Sequence, residues 1–152
     1  VLTGLNVREA TEDDLIPLMI MAKAFHKESP YKDMLPWDNK KVEQTIRSGI
    51  ANENTCVFVL EDGGELVGML GAVYTEAFFS AAKVAAELSW WVDPEYRGRK
   101  ESVGLVKAYE NWAKSKGVKA VNMMDLTLLN ELGPLYEKLG YTKYETTYVK
   151  VL

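Results

Sequence analysis

Apolar and polar positions change period along the chain, and the changes mark its elements. Residues 5–8 read as a short strand, after which Thr11-Glu-Asp-Asp14 forms a capping box ahead of Leu15, Leu18, Met19, Ala22 and Phe25 at helical spacing. That predicts a first helix ending near His26, with Pro17 early enough to disturb only its first turns. Residues 26–37 carry two prolines and read as a loop. Asp38 is placed to cap a second helix through Val42, Thr45 and Ile46, with Gly49 as its stop. Residues 55–60 are apolar on both faces, as in a central strand, and Glu61-Asp-Gly-Gly-Glu65 turns the chain into a partner strand over 66–75. A fourth strand spans 84–92, with Ala86, Leu88 and Trp90 on one face and Ala85, Glu87, Ser89 and Trp91 on the other. From Ser102 helical spacing returns through Leu105, Val106, Tyr109, Trp112 and Ala113 and stops at Gly117. A fifth strand over 118–123 follows, and a single crossover helix makes it the parallel neighbour of the fourth. Asn130 opens a last helix, Pro134 falls in its first turn, Gly140 ends it, and 141–152 alternate as a closing strand. The expectation is one α/β domain over residues 1–152.

Composition narrows the partners. Lys and Arg number 18 against 22 Asp and Glu, for a net charge of −4. That balance argues against a nucleic-acid partner. Cys56, the single cysteine, excludes an intramolecular disulfide, and with one histidine beside it the chain lacks the ligands for a zinc site, so no metal is expected. No apolar run approaches a membrane span or a secretory segment, so the expected location is cytoplasmic.

Candidate chemistry gathers where the fourth strand gives way to a helix. Asp93-Pro94 breaks the strand after Val92, and Arg97, Gly98, Arg99 and Lys100 make a short basic loop. Unpaired N–H groups at a helix start, its dipole and three basic side chains suit a phosphate; a solvated basic turn is the alternative. Glu87 is a carboxylate in the middle of a central strand. Such a group finds a partner, opens onto a cleft or holds a proton at raised pKa, each of which suits a general base; otherwise it lies on an exposed end of the sheet. His26, Tyr31 and Trp37 either cap the core or line an acceptor pocket. Cys56 sits mid-strand in an apolar run and reads as core.

Val92-Asp-Pro-Glu-Tyr-Arg-Gly-Arg-Lys100 resembles motif A of the GNAT family of acyl-CoA-dependent N-acetyltransferases, and Leu135-Tyr-Glu-Lys-Leu-Gly-Tyr141 is similar to that family's motif B. With Val7-Arg-Glu-Ala-Thr11 the resemblance covers nearly the whole chain, and it is nearest to small stand-alone bacterial or phage enzymes. It implies a mixed, mostly antiparallel sheet flanked by about four helices, with parallel fourth and fifth strands that splay at their C-terminal ends. Acetyl-CoA would lie in the splay, along the edge of residues 90–92. The resemblance assigns cofactor contacts to Trp91, Val92, Arg97, Gly98, Arg99, Lys100, Glu101, Ser102 and Asn130. It makes Glu87 the general base, Tyr136 the acid that protonates the departing thiolate, and His26, Tyr31 and Trp37 the wall facing a small-molecule or protein amine. The chain departs from the family pattern at Lys100 and Ser102, where motif A has small residues, and at Leu129, where motif B has asparagine, with Asn130 displaced by one. Its tail is short for the family's two final strands, so either one strand serves or a second copy completes the sheet as a homodimer. The implied function is N-acetyl transfer to a primary amine in a ternary complex; the alternative is a non-catalytic acyl-CoA-binding, sensing or interaction module.

Overall fold

The computed structural model describes residues 4–128 and 131–152. The elements are β1 (Leu5–Glu9), α1 (Leu15–Glu28), α2 (Asn39–Ala51), β2 (Thr55–Asp62), β3 (Glu65–Glu76), β4 (Lys83–Val92), α3 (Lys100–Ser115), β5 (Ala120–Asn122) and α4 (Gly133–Lys138), with short 3-10 turns at Glu12–Asp14 and Pro94–Tyr96. Sheet order follows chain order, β1-β2-β3-β4-β5. Successive strands are antiparallel until the crossover through α3 brings β5 in parallel to β4. This is the mixed, mostly antiparallel sheet flanked by helices that the resemblance implies, and the helices lie on both of its faces.

The apolar stripe of α3 covers one face. Leu105, Val106, Tyr109, Trp112 and Ala113 pack on Phe58, Leu60, Leu70, Ala85 and Val92. Gly68 permits that approach, since a Cβ there would stand 3.2 Å from Leu60 and 3.3 Å from Leu105. On the other face Leu18 and Met21 of α1 meet Val59 and Met69, with Ile46 and Ile50 of α2 alongside.

The Thr11–Asp14 capping box forms as predicted. Asp14 also accepts two hydrogen bonds from the Arg8 guanidinium, at 2.8 and 3.0 Å, so the box ties β1 to the start of α1. Those bonds hold the buried carboxyl below its usual range. Asp14→Ala is expected to cost about 2–3 kcal/mol in denaturant melts at pH 7, less than a fully buried pair because Arg8 is partly exposed. Because the folded pKa is depressed, this stabilisation is present above the unfolded value near 4 and fades as pH falls. The gap between wild type and variant should therefore close in acid.

The sequence reading is corrected in several places. Gly49 does not stop α2, which continues to Ala51. An interior glycine costs about 1 kcal/mol and ends a helix when it takes positive φ, which Gly49 does not. α1 extends to Glu28, so His26 lies in its last turn. α3 starts at Lys100 rather than Ser102, which puts Glu101 and Ser102 in its first turn. β5 is confined to Ala120–Asn122, and α4 opens at Gly133 with Pro134 in its first turn. Leu129 and Asn130 lie outside the described residues. Residues 142–152 do not form the expected closing strand; they are exposed and neither helical nor paired with a described strand. Strand propensity needs a neighbouring ladder to become a strand, and this segment lies against none.

Strict alternation also fails in β4. Glu87 lies opposite Ala72 and Ser89 opposite Gly71, so Leu88 is an extra residue, a β-bulge. The bulge puts Glu87 on the α3 face with Trp90 and Val92, and turns Trp91 to the α1 face beside Met69.

Candidate active site

β4 and β5 part at the bulge. Their pairing runs from Val84–Ala120 to Ala86–Asn122, while β4 continues to Val92. The Asp93 N–H donates to the Val67 carbonyl at 2.8 Å, which fixes the phase of the β3–β4 ladder. Antiparallel ladders alternate, so Trp90 and Val92, opposite Leu70 and Gly68, point their N–H and C=O groups away from β3 into the opening. No described strand pairs with them there. The fourth strand thus offers a short edge at the place where its neighbour diverges, with the Val92 carbonyl taken by the Arg97 Nε.

Two ionisable side chains meet at the base of this opening. Glu87, only 4% exposed, accepts a hydrogen bond from the Met124 N–H at 3.2 Å. The Tyr136 hydroxyl, on α4, donates to the carbonyl of the same Met124 at 2.7 Å. One residue just beyond β5 therefore holds the two side chains together. Burial pushes the Glu87 carboxyl up to about 7, with the Met124 N–H pulling weakly the other way. Burial also raises the Tyr136 phenol, and the nearby Glu87 and Asp125 carboxylates add to the effect. Near neutral pH the site contains a carboxylate ready to take a proton and a phenol that keeps its own.

Aromatic rings wall the site. The Trp90 ring lies 6.3 Å and the Tyr141 ring 5.9 Å from that of Tyr136. The indole N–H of Trp90 is buried without a partner among the described residues. Strict alternation placed Trp90 on the face away from Glu87, so only the bulge reveals it as a neighbour. Asp125 was also missed from sequence: one carboxylate oxygen accepts the N–H groups of Leu132 and Gly133 at 3.1 Å each and fixes the start of α4. An aspartate capping across a loop leaves no periodic signal.

The basic loop is more committed to its own structure than the sequence implied. Arg97 donates its Nε to the Val92 carbonyl at 2.7 Å and its terminal nitrogen to both Glu28 oxygens at 2.9 and 3.1 Å, and it lies over the Trp91 ring. Gly98 turns the chain at φ +79°. Arg99 stacks on Tyr96 at 4.7 Å, and the buried Ser102 hydroxyl donates to the Arg99 carbonyl at 2.6 Å. Lys100 is exposed at the head of α3, Glu101 is half-buried beside it, and the helix has no side-chain cap. Its first N–H groups and the Lys100 ammonium remain the anion-binding features of the loop.

His26, Tyr31 and Trp37 gather at the α1–α2 connection. The His26 Nε2 lies 2.6 Å from the Leu35 carbonyl, its ring is 5.7 Å from that of Trp37, and the Trp37 indole donates to Asn39 at 3.0 Å. Tyr31 is half-buried in the same loop. Glu28 joins this region to the basic loop through Arg97, a link that no sequence pattern announced. Among the described residues no group of His, Cys, Asp or Glu is disposed to hold a metal ion, and no helix is long and apolar enough to cross a membrane.

A comparison with curated proteins finds no match. Solved structures match in fold at low identity. A transcriptional regulator from Bacillus halodurans C-125 shares 22% identity at a TM-score of 0.74, covering 96% of this chain and 99% of its own. A predicted acetyltransferase with acetyl-CoA from Clostridium acetobutylicum shares 16% at 0.75, covering 96% and 95%. AAC(6')-Iy in complex with a bisubstrate analogue shares 14% at 0.79, covering 96% of each chain. The family model for the acetyltransferase (GNAT) family matches residues 18–141, a span that contains the parted strands, the basic loop, Glu87 and Tyr136. The chain belongs to the GNAT acetyltransferase family.

Proposed function

We propose that this chain transfers an acetyl group from acetyl-CoA to a primary amine by direct attack, with both substrates held in one site. The observation that carries the reading is the pairing of Glu87 and Tyr136 on the two ends of Met124, where β4 and β5 separate. The residues fit the cofactor. The outward N–H and C=O of Trp90 and the N–H of Val92, whose carbonyl accepts from Arg97, match an extended amide chain added as a short strand, with Trp91 packed behind that edge. Gly98, Arg99, Lys100, Glu101 and Ser102 surround an uncapped helix start suited to phosphates. Bound acetyl-CoA supplies an activated acyl thioester.

The chain's own groups do the rest. Glu87 takes a proton from the incoming ammonium, directly or through water, and its raised pKa matches that task near neutral pH. The outward N–H groups of the β4 edge near Val92 donate to the acyl oxygen. Tyr136 gives its proton to the sulfur. In this ligand-free arrangement the hydroxyl donates to Met124, and it re-aims when a stronger acceptor arrives. His26, Tyr31 and Trp37 face the amine, and the acidic balance of the chain favours a cationic acceptor.

A second reading, a module that binds acyl-CoA without transferring it, is favoured by the bonds that occupy Arg97 and Ser102. Coenzyme A thiol release across a panel of primary amines separates the two. Amine-dependent release is expected; tight cofactor binding with no release from any amine would favour the second reading. Because Glu28 competes with phosphate for Arg97, Glu28→Gln is expected to tighten acetyl-CoA binding severalfold in a titration.

A further inference from the structure

The β3–β4 hairpin reaches past its neighbours at the end of the sheet opposite the basic loop. β2 begins at Thr55, opposite Val73, and β5 at Ala120, opposite Val84, while β3 and β4 stay paired as far as Glu76 and Lys83. The loop over 77–82 therefore stands beyond the last paired residue of either flanking strand. It carries no charge, and its side chains are apolar except for Ser80. Phe78 is 101% and Phe79 78% exposed, their rings edge to face at 5.1 Å. The turn beneath them is held locally: the Ser80 N–H donates to the Ala77 carbonyl and the Ala82 N–H to the Ser80 hydroxyl, each at 3.1 Å. Two phenyl rings so fully in water, at the tip of a fixed turn, mark a contact surface.

We propose that this tip docks the protein on an anionic lipid bilayer, with Phe78 and Phe79 in the boundary between headgroups and acyl chains and lysines on the headgroup phosphates. Area decides against a folded protein partner. Two phenyl side chains offer about 400 Å² between them, half of the roughly 800 Å² per side that a stable protein interface buries. A bilayer receives a few rings without presenting a matching surface. Charge points the same way. The Lys83 Nζ, at the foot of the loop, donates to the Lys116 carbonyl at 3.1 Å, and the Lys83 carbonyl accepts the Lys119 N–H at 2.9 Å, so three lysines gather on one side of the hairpin. Lys119 is exposed, and Lys83 and Lys116 are half-buried. They outnumber Glu76, at the other foot, and Glu53, in the turn whose Asn54 carbonyl accepts the Tyr74 N–H. In a chain of net charge −4 this local excess turns the hairpin end toward an anionic surface. Lysine stems lie along the rings while their ammonium groups reach phosphate. Two rings or three lysines alone bind weakly; an apolar and a basic signal together hold a protein on a membrane. Such a contact needs no spanning helix, and none is found among the described residues. The parted strands and the basic loop lie toward the other end of β4, so docking leaves them in water. This inference is independent of the catalytic reading.

Sedimentation of the full chain with vesicles tests it, using phosphatidylcholine alone and an equal mixture of phosphatidylcholine and phosphatidylglycerol. The wild type is expected to pellet with the mixed vesicles, less as salt is raised, and to stay largely in solution with phosphatidylcholine alone. The double variant Phe78→Ser and Phe79→Ser should lower partition onto the mixed vesicles by about tenfold or more, with unchanged melting because both rings are exposed. Lys119→Glu should lower it severalfold, and it carries the test should the double variant fail to fold. A folded wild type that pellets with neither vesicle would overturn the proposal, as would equal binding to both or binding that survives the substitutions. Self-association of the wild type in light scattering, abolished by the phenylalanine substitutions, would assign the rings to a second copy and overturn it as well.

Discussion

Glu87→Gln lowers turnover by roughly 10²- to 10⁴-fold, the range associated with removing a positioned base. The fold should survive, because the glutamine oxygen still accepts the Met124 N–H in the place of the carboxylate. The pH profile separates a base from a merely structural group. In the wild type, kcat/KM should rise with pH and level off above about 7, where the buried carboxyl has lost its proton. The residual activity of the variant should lack that limb. Stability carries a matching signature of opposite sense. The folded protein binds the Glu87 proton more tightly than the unfolded chain, whose carboxyl titrates near 4.5, so wild-type stability falls as pH rises from there to about 7. Glutamine has no such cost. The variant should therefore gain on the wild type across that window, by at most about 3 kcal/mol at 1.4 kcal/mol per pH unit. Paired activity and denaturation series at several pH values check both; full activity in the glutamine variant would remove Glu87 from the chemistry.

Tyr136→Phe is expected to lower turnover by roughly 10²-fold while leaving acetyl-CoA affinity nearly unchanged, because the phenol acts on the departing sulfur rather than on the bound cofactor. A structural tyrosine would give a different pattern. The Met124 carbonyl would lose its donor, costing about 1 kcal/mol of stability, and turnover would follow stability alone. The outcome is read from kcat and the cofactor dissociation constant measured separately. Pushed up by burial, then by Glu87 and Asp125, the phenol stays protonated well above neutral pH, so the wild-type profile should show no early alkaline fall from this group.

Period alone was enough to order the strands and helices, because apolar spacing at 2 and 3.6 residues reports which face is buried. It located Glu87 on the fourth strand and Tyr136 on the last helix. It misjudged their surroundings at the one place where the period slips, since the extra residue at Leu88 reverses which side chains share a face. Trp90 beside Tyr136, and Trp91 against α1, follow from that slip. Contacts between distant segments were equally invisible: Glu28 on Arg97 joins positions 69 residues apart, and nothing in either local pattern announces the other. The tail misled for a related reason. Residues 142–150 have strand-forming composition, but composition does not supply the neighbouring ladder that a strand needs.

Calorimetric titration of the protein with acetyl-CoA, beside desulfo-CoA and adenosine bisphosphate, tests the central claim most directly. Micromolar affinity, on the order of −8 kcal/mol, with the nucleotide fragment binding more weakly, is the predicted result. It would establish the cofactor despite Lys100 and the Arg97–Glu28 pair. A folded sample that binds none of the three would contradict the acetyl-transfer account.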